Sequence, residues 1–251
     1  MAMLVAYLDE TGLHGDSPFV AVCGFVGTTI EWSRLERPWA ENLRTSRVSV
    51  FHATDCENGD GEFFGKNKAI RDALISGLSG ELSKRELDVV VCGVAKKEWD
   101  QRAPAKIKER FQTPYHFCLE FVLQKLNTWS LAKAGCEPIA MVFADHQQYR
   151  ARTMEVYEHY IYSGEFPHLG FLSFGKPKCL IQLQAADLLA HETYKYMRQR
   201  FIEGVERISP ALMKLLGMMS DPRNAGFYDQ DNLATLEPSG PVLETPLSRA
   251  S

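Results

Sequence analysis

Short, unbroken apolar runs alternate along the chain with longer stretches in which apolar residues recur every three or four positions. The first pattern reads as buried strand and the second as amphipathic helix. Residues 3–8 form the first run and end on Asp9-Glu10-Thr11-Gly12, and residues 18–27, rich in Val and Phe, form the second. The pair is predicted as a hairpin with residues 12–17 at its tip. A helix is expected over residues 30–47, where Trp32, Leu35, Trp39 and Leu43 mark one core-facing stripe. After a short segment at 48–55 and a Gly- and Asp-rich loop at 58–65, a second helix is expected over 67–84, with Ile70, Leu74, Leu78 and Leu82 at four-residue steps. A continuous apolar strand follows at 87–94, then a charged stretch from Lys96 to Arg110. Thr113-Pro114 opens a helix to about Lys133, in the cap-then-proline order that helix starts favour.

Residues 138–144 make another strand, ending on Asp145. A helix over 149–162, a strand over 169–174 and a helix over 180–200 complete a β-β-α-α-β-α-β-α-β-α order. With no internal repeat and no linker-like break, that order predicts a single α/β domain over residues 1–215. From 216 the periodicity fades, and residues 237–251 carry three prolines and three serines. Residues 216–251 are therefore expected to be a C-terminal extension, partly a mobile tail or a strap on the surface.

Composition agrees with a packed core. At 251 residues, 45% hydrophobic and 24% charged, the chain is long enough to bury roughly 70% of its unfolded surface. The net charge of −4 removes a global basic field, so a polyanionic partner has to be held locally or through metal ions. No apolar run approaches the ~20 residues of a membrane span. No cationic leader opens the chain, so a cytoplasmic protein without membrane contact is expected. Six cysteines without a CxxC pair read as reduced, mostly buried thiols. No Gly-rich phosphate loop, G-x-S-x-G elbow or H-E-x-x-H helix is present, which leaves P-loop hydrolysis, serine esterase and metalloprotease chemistry without support.

Three acids stand where burial is costly. Asp9 ends the first strand, Asp145 ends a later one, and Asp187 sits in the apolar helical run Leu183-Gln184-Ala185-Ala186-Asp187-Leu188-Leu189-Ala190. If the first strand and the strand at 138–144 are parallel neighbours, Asp9 and Asp145 reach the same sheet edge, where open α/β sheets hold ligands. A helix packed on that edge adds Asp187. Converging carboxylates repel unless one is protonated or a cation intervenes. Mg²⁺ or Mn²⁺ answers that need with oxygen ligands, and a pair of such ions clamps the attacking and leaving oxygens of a phosphodiester displacement. Gln184 and His191 lie on the same helical face as Asp187, making a polar stripe that could meet substrate. His52 stands three and four residues before Asp55 and Cys56, a spacing that suits a metal if helical, or lines the acidic cleft. Tyr115, His116 and Glu120 are further contact candidates. Lys176, Lys178 and the basic positions of the 96–110 stretch could touch a phosphate backbone.

The same residues carry a family likeness. Tyr7-Leu8-Asp9-Glu10-Thr11-Gly12 resembles the Y-x-D-E-S/T-G opening, and Gln184-Ala185-Ala186-Asp187-Leu188-Leu189-Ala190 the Q-x-A-D-L-x-A motif, of the bacterial and phage family known as domain of unknown function 3800 (DUF3800). The strand closing in Asp145 looks like that family's middle acidic motif, and the likeness spans about residues 4–200. It implies a ribonuclease H-like fold, a mixed sheet flanked by helices. It also implies a divalent-metal phosphodiester site with Asp9, Asp145 and Asp187 as metal ligands and Glu10 and Gln184 beside them. In such a core the first three strands form a meander, whereas here two helices separate the second strand from the third. The function expected is a metal-dependent nuclease or related phosphoryl-transfer hydrolase acting on DNA or RNA. The alternative is a non-catalytic nucleic-acid- or protein-binding regulatory module on the same fold.

Overall fold

β1 (Leu4–Thr11) and β2 (Phe19–Thr28) form the expected hairpin in the computed structural model, which describes residues 3–236 apart from 134, 136 and 230. The chain leaves β1 at Gly12 with φ +76°, where a Cβ would lie 2.0 Å from the Phe19 carbonyl oxygen, so only glycine fits the turn. α1 (Thr29–Thr45) starts at once, capped by the Thr28 hydroxyl, which accepts from the Glu31 N–H. It buries Trp32, Leu35, Trp39 and Leu43 as the spacing predicted. α2 (Ala53–Asn58) and α3 (Lys68–Leu82) follow, then β3 (Asp88–Ala95). The charged stretch folds into two short helices, α4 (Lys96–Arg102) and α5 (Ala105–Phe111), held by buried Trp99, Ile107 and Phe111. α6 (Pro114–Lys133), β4 (Ile139–Ala144), α7 (Gln147–Ser163), β5 (Leu169–Gly175), α8 (Ile181–Phe201), α9 (Pro210–Leu216) and β6 (Ala225–Tyr228) complete the domain.

The six strands form one mixed sheet in the order β5-β4-β1-β2-β3-β6. β1, β2 and β3 are an antiparallel meander, while β4 lies parallel to β1, β5 to β4 and β6 to β3. The three-strand meander that the family resemblance implies is thus present. α1, α2 and α3 are accommodated as a detour over one face, because β3 pairs with β2 along eight residues, from Phe19↔Ala95 to Val26↔Asp88. One core cluster joins the sheet to α1, α2, α3, α8 and α9, and the other joins its opposite face to α4–α7. The chain is a single α/β domain with a mixed sheet between helical layers.

The expected boundary between residues 215 and 216 is corrected. Ala225–Tyr228 is a fully buried strand on the edge of β3, and Leu233 and Leu236 join the same core as α6, so the folded domain runs on at least to Leu236. Four residues are too few to show a period in sequence, and that is why the strand escaped notice. Residues 237–251, expected as the tail, lie outside the described residues.

Candidate active site

β1 and β4 are parallel neighbours, paired from Leu4↔Ile139 to Leu8↔Phe143, so Asp9 in β1 and Asp145 just beyond β4 emerge at the same edge of the sheet. Successive strand residues point to opposite faces. Asp9 therefore goes with Val5 toward the α8 layer, and Glu10 with Ala6 and Leu8 toward α6. Both carboxylates are buried, at 4% and 7% exposure. The Glu10 N–H donates to Asp9 Oδ1 at 2.8 Å, and His146 Nε2 lies 3.3 Å from the same oxygen. α8 crosses β1 and β2 and brings in Asp187, whose Oδ2 accepts from the Ala53 N–H at 2.7 Å.

The fields in this corner are strong. Burial, then the charge of Asp9, push the Glu10 carboxyl up to about 8, against the opposing pull of His146. Burial and Asp9 likewise raise Asp187 to about 7, partly offset by the Ala53 N–H and by His52 and His146. The hydrogen bond to Asp9, reinforced by Glu10 and Asp187, raises His146 to about 9, so its imidazolium is the local counter-ion. Glu10 Oε2 and Asp145 Oδ1 are buried without a hydrogen-bond partner among the described residues, and Arg150 approaches Asp145 Oδ1 only to 3.7 Å. Buried carboxylate oxygens without a hydrogen bond fit a hard divalent cation by their chemistry. Among the described residues no three His, Cys, Asp or Glu side chains converge as a ready-made cage. Mg²⁺ tolerates that, since it is often bound through one or two carboxylates plus water and substrate phosphate.

No protein-family model and no curated protein matches the chain. Two solved structures of Bst-RNase HIII resemble its fold. One is a point mutant, at 12% identity and TM-score 0.40, covering 83% of this chain and 58% of that one. The other is a complex with Mn²⁺, at 11% identity and TM-score 0.40, covering 86% of this chain and 70% of that one. The chain thus spans little more than half the length of the first, and a likeness at this level bears on neither the site nor the chemistry here.

The remaining predicted residues divide. Gln184 is buried, and its amide is fully engaged: Oε1 accepts from Trp39 Nε1 at 3.0 Å and from the Phe51 N–H at 3.1 Å, while Nε2 donates to the Pro177 carbonyl at 3.0 Å. The expected substrate contact is therefore corrected to a clamp that holds the entry to α2. His52 is half exposed beside Asp55, at 3.2 Å, whereas Cys56 is buried with its thiol pushed up to about 12 by burial. The His-Asp-Cys metal spacing is not realised, because the helix turns the sulfur into the core. His191 lies one turn beyond Asp187 but faces α2, with Glu57 at 3.8 Å and its Nε2 buried without a hydrogen bond among the described residues. Lys176 and Lys178 are exposed at the same end of the sheet, and the carbonyl of Gly175, next to Lys176, accepts from the Asp145 N–H at 2.9 Å. Glu120 is turned away from the acidic edge and pairs with Arg110 and Tyr160, while His116 meets Arg152. Sequence reasoning missed His146. Its position directly after the strand-ending Asp145 was the available signal.

Proposed function

We propose that the protein is a divalent-metal-dependent nuclease of the DUF3800 type, a cytoplasmic phosphodiester hydrolase acting on nucleic acid. The observation that carries the proposal is the pair of buried oxygens on Glu10 and Asp145 that have no hydrogen bond among the described residues, at one sheet edge with Asp9 and Asp187. Asp9, Asp145 and Asp187 are the ligands for Mg²⁺ or Mn²⁺. When bound, such an ion polarises a phosphoryl oxygen and makes water a better nucleophile at neutral pH. The chain's own residues do the rest. The Glu10 N–H and the His146 ring hold Asp9 Oδ1, and the Ala53 N–H fixes one oxygen of Asp187. Lys176 and Lys178 line the phosphate approach, and Gln184 positions the residues around Ala53.

Cleavage of single-stranded DNA, RNA, duplex and hybrid substrates with Mg²⁺ or Mn²⁺ tests this reading. Wild-type protein is expected to cleave at least one of them, and Asp187→Asn to lose at least about a hundredfold in rate, as when a transition-state charge stabiliser is removed. Full activity of Asp187→Asn overturns the proposal. A wild-type protein that binds nucleic acid, cleaves nothing and shows no metal-dependent thermal shift is the non-catalytic binding module instead.

A further inference from the structure

A cleft of about 430 Å³ opens beside the acidic edge, on the α6 and α7 face of the sheet. Its floor is Leu13, Val20, Pro114, Tyr115 and Tyr149, and its rim carries Lys96 and Arg152, with Asp100 as a single opposing charge. Three ties connect it to the proposed metal edge. Leu13 follows Glu10 by three residues, and Tyr149 follows His146 by three, each a span of at most ~10 Å of chain. The Tyr149 hydroxyl donates to the Leu13 carbonyl at 2.8 Å, and Lys96 Nζ donates to the His14 carbonyl at 2.8 Å, so the hairpin tip is fastened to both sides of the cleft. Tyr115 lies within electrostatic reach of Glu10 from the cleft floor.

The chemistry is that of a base-binding recess. Tyr149 is partly exposed and rests against Tyr115, ring centroids 5.3 Å apart, which makes a rigid aromatic floor. Arg152 is held from behind by Glu155 at 2.7 Å, Gln112 at 3.0 Å and His116 at 3.0 Å, so its planar guanidinium is already oriented at the rim. Apolar and aromatic walls with a cationic rim suit a planar ring bearing a phosphate. A base enters a recess only when it is unpaired. We infer that this cleft seats an unpaired nucleobase next to the scissile phosphate, with Tyr149 as the stacking surface and Arg152 and Lys96 at its phosphate, so that the substrate is a single strand. The inference names the substrate class for the proposed nuclease and rests on that reading for the word scissile.

Fluorescence anisotropy of the full chain in EDTA, with labelled short oligothymidine and oligouridine and a matched duplex, reads binding apart from cleavage. Wild-type protein is expected to bind a single strand at least about tenfold more tightly than duplex, and Tyr149→Ala to weaken single-strand binding by about tenfold or more. Tyr149→Phe keeps the ring and loses the bond to Leu13, and is expected to bind as wild type does, with both variants folded by thermal melting. Equal binding of duplex, no binding by wild type, unchanged binding by Tyr149→Ala, or equal loss in both variants overturns the inference. Tyr149-dependent binding without metal-dependent cleavage by the wild type leaves the inference standing and removes the nuclease reading.

Discussion

At the scale of single residues the site is a store of unfavourable charge. Glu10 near 8, Asp187 near 7 and His146 near 9 all hold protons in the native state that the unfolded chain releases at lower pH. Free carboxylates titrate near 4 and free histidine near 6.5. The stability these groups lend is therefore complete below those unfolded values and is lost as pH rises through about 7 to 9. The metal-free protein is expected to melt at progressively lower temperature from about pH 6 to pH 9, and Mg²⁺ or Mn²⁺ at about a hundred times Kd to restore about 2.7 kcal/mol. Calorimetry across pH with and without metal checks both; a pH-independent midpoint in EDTA would contradict the burial of these acids. Asp187→Asn can still accept the Ala53 N–H while losing the charge. Its metal-free form is expected to melt above the wild type at pH 8 and to gain nothing from metal, a trade of stability against function. Asp9 and Asp187 were legible in sequence because a carboxylate in an apolar run is conspicuous. His146 was not, since nothing local shows that its ring turns back to the neighbouring strand.

At the scale of elements, long periodic segments appear where their spacing placed them, and short ones do not. β6 is four residues long, yet it covers the outer edge of β3 and carries Tyr228, which is fully buried against Phe117 and Phe121. Tyr228→Ala is expected to cost about 3–5 kcal/mol in denaturant unfolding, as large-to-small core changes do. A detachable extension would show almost no change. Gln184 makes the same point for a polar group. Its replacement by Ala leaves the buried Trp39 indole N–H and the Phe51 N–H unpaired, at about 1–3 kcal/mol each. Gln184→Ala is expected to lower stability by about 2–4 kcal/mol, with a parallel loss of activity through the displaced Ala53; unchanged stability would return Gln184 to the substrate side. From sequence the polar stripe on α8 was visible, but not that its amide turns to Trp39 and its carboxylate to Ala53.

At the scale of the whole molecule the net charge of −4 excludes a broad electrostatic grip on nucleic acid. Part of the 96–110 basic stretch is engaged internally: Arg102 with Glu98, Lys108 with the Asp100 carbonyl and Arg110 with Glu120. The phosphate contacts inferred for the cleft are two, Arg152 and Lys96. Single-strand binding is therefore expected to fall with salt at a slope of roughly −1 to −2 in log–log form, corresponding to two or three phosphate contacts. Anisotropy over a potassium chloride series measures it, and a slope steeper than about −4 would mean an extended basic surface. Among the described residues no helix is long and apolar enough to cross a membrane.

The sequence by itself determined the order of the longer strands and helices, the α/β class, the apolar stripes of α1 and α3, and the positions of Asp9, Asp145 and Asp187 against apolar runs, because each is a local pattern of burial against polarity. Only the tertiary structure decided that β1 and β4 run side by side, that β6 closes the edge of β3, and that His146, Ala53 and Gln184 surround the acids. These are contacts between residues more than 130 positions apart. Periodicity records which face of an element is buried, and it carries no record of which element buries it.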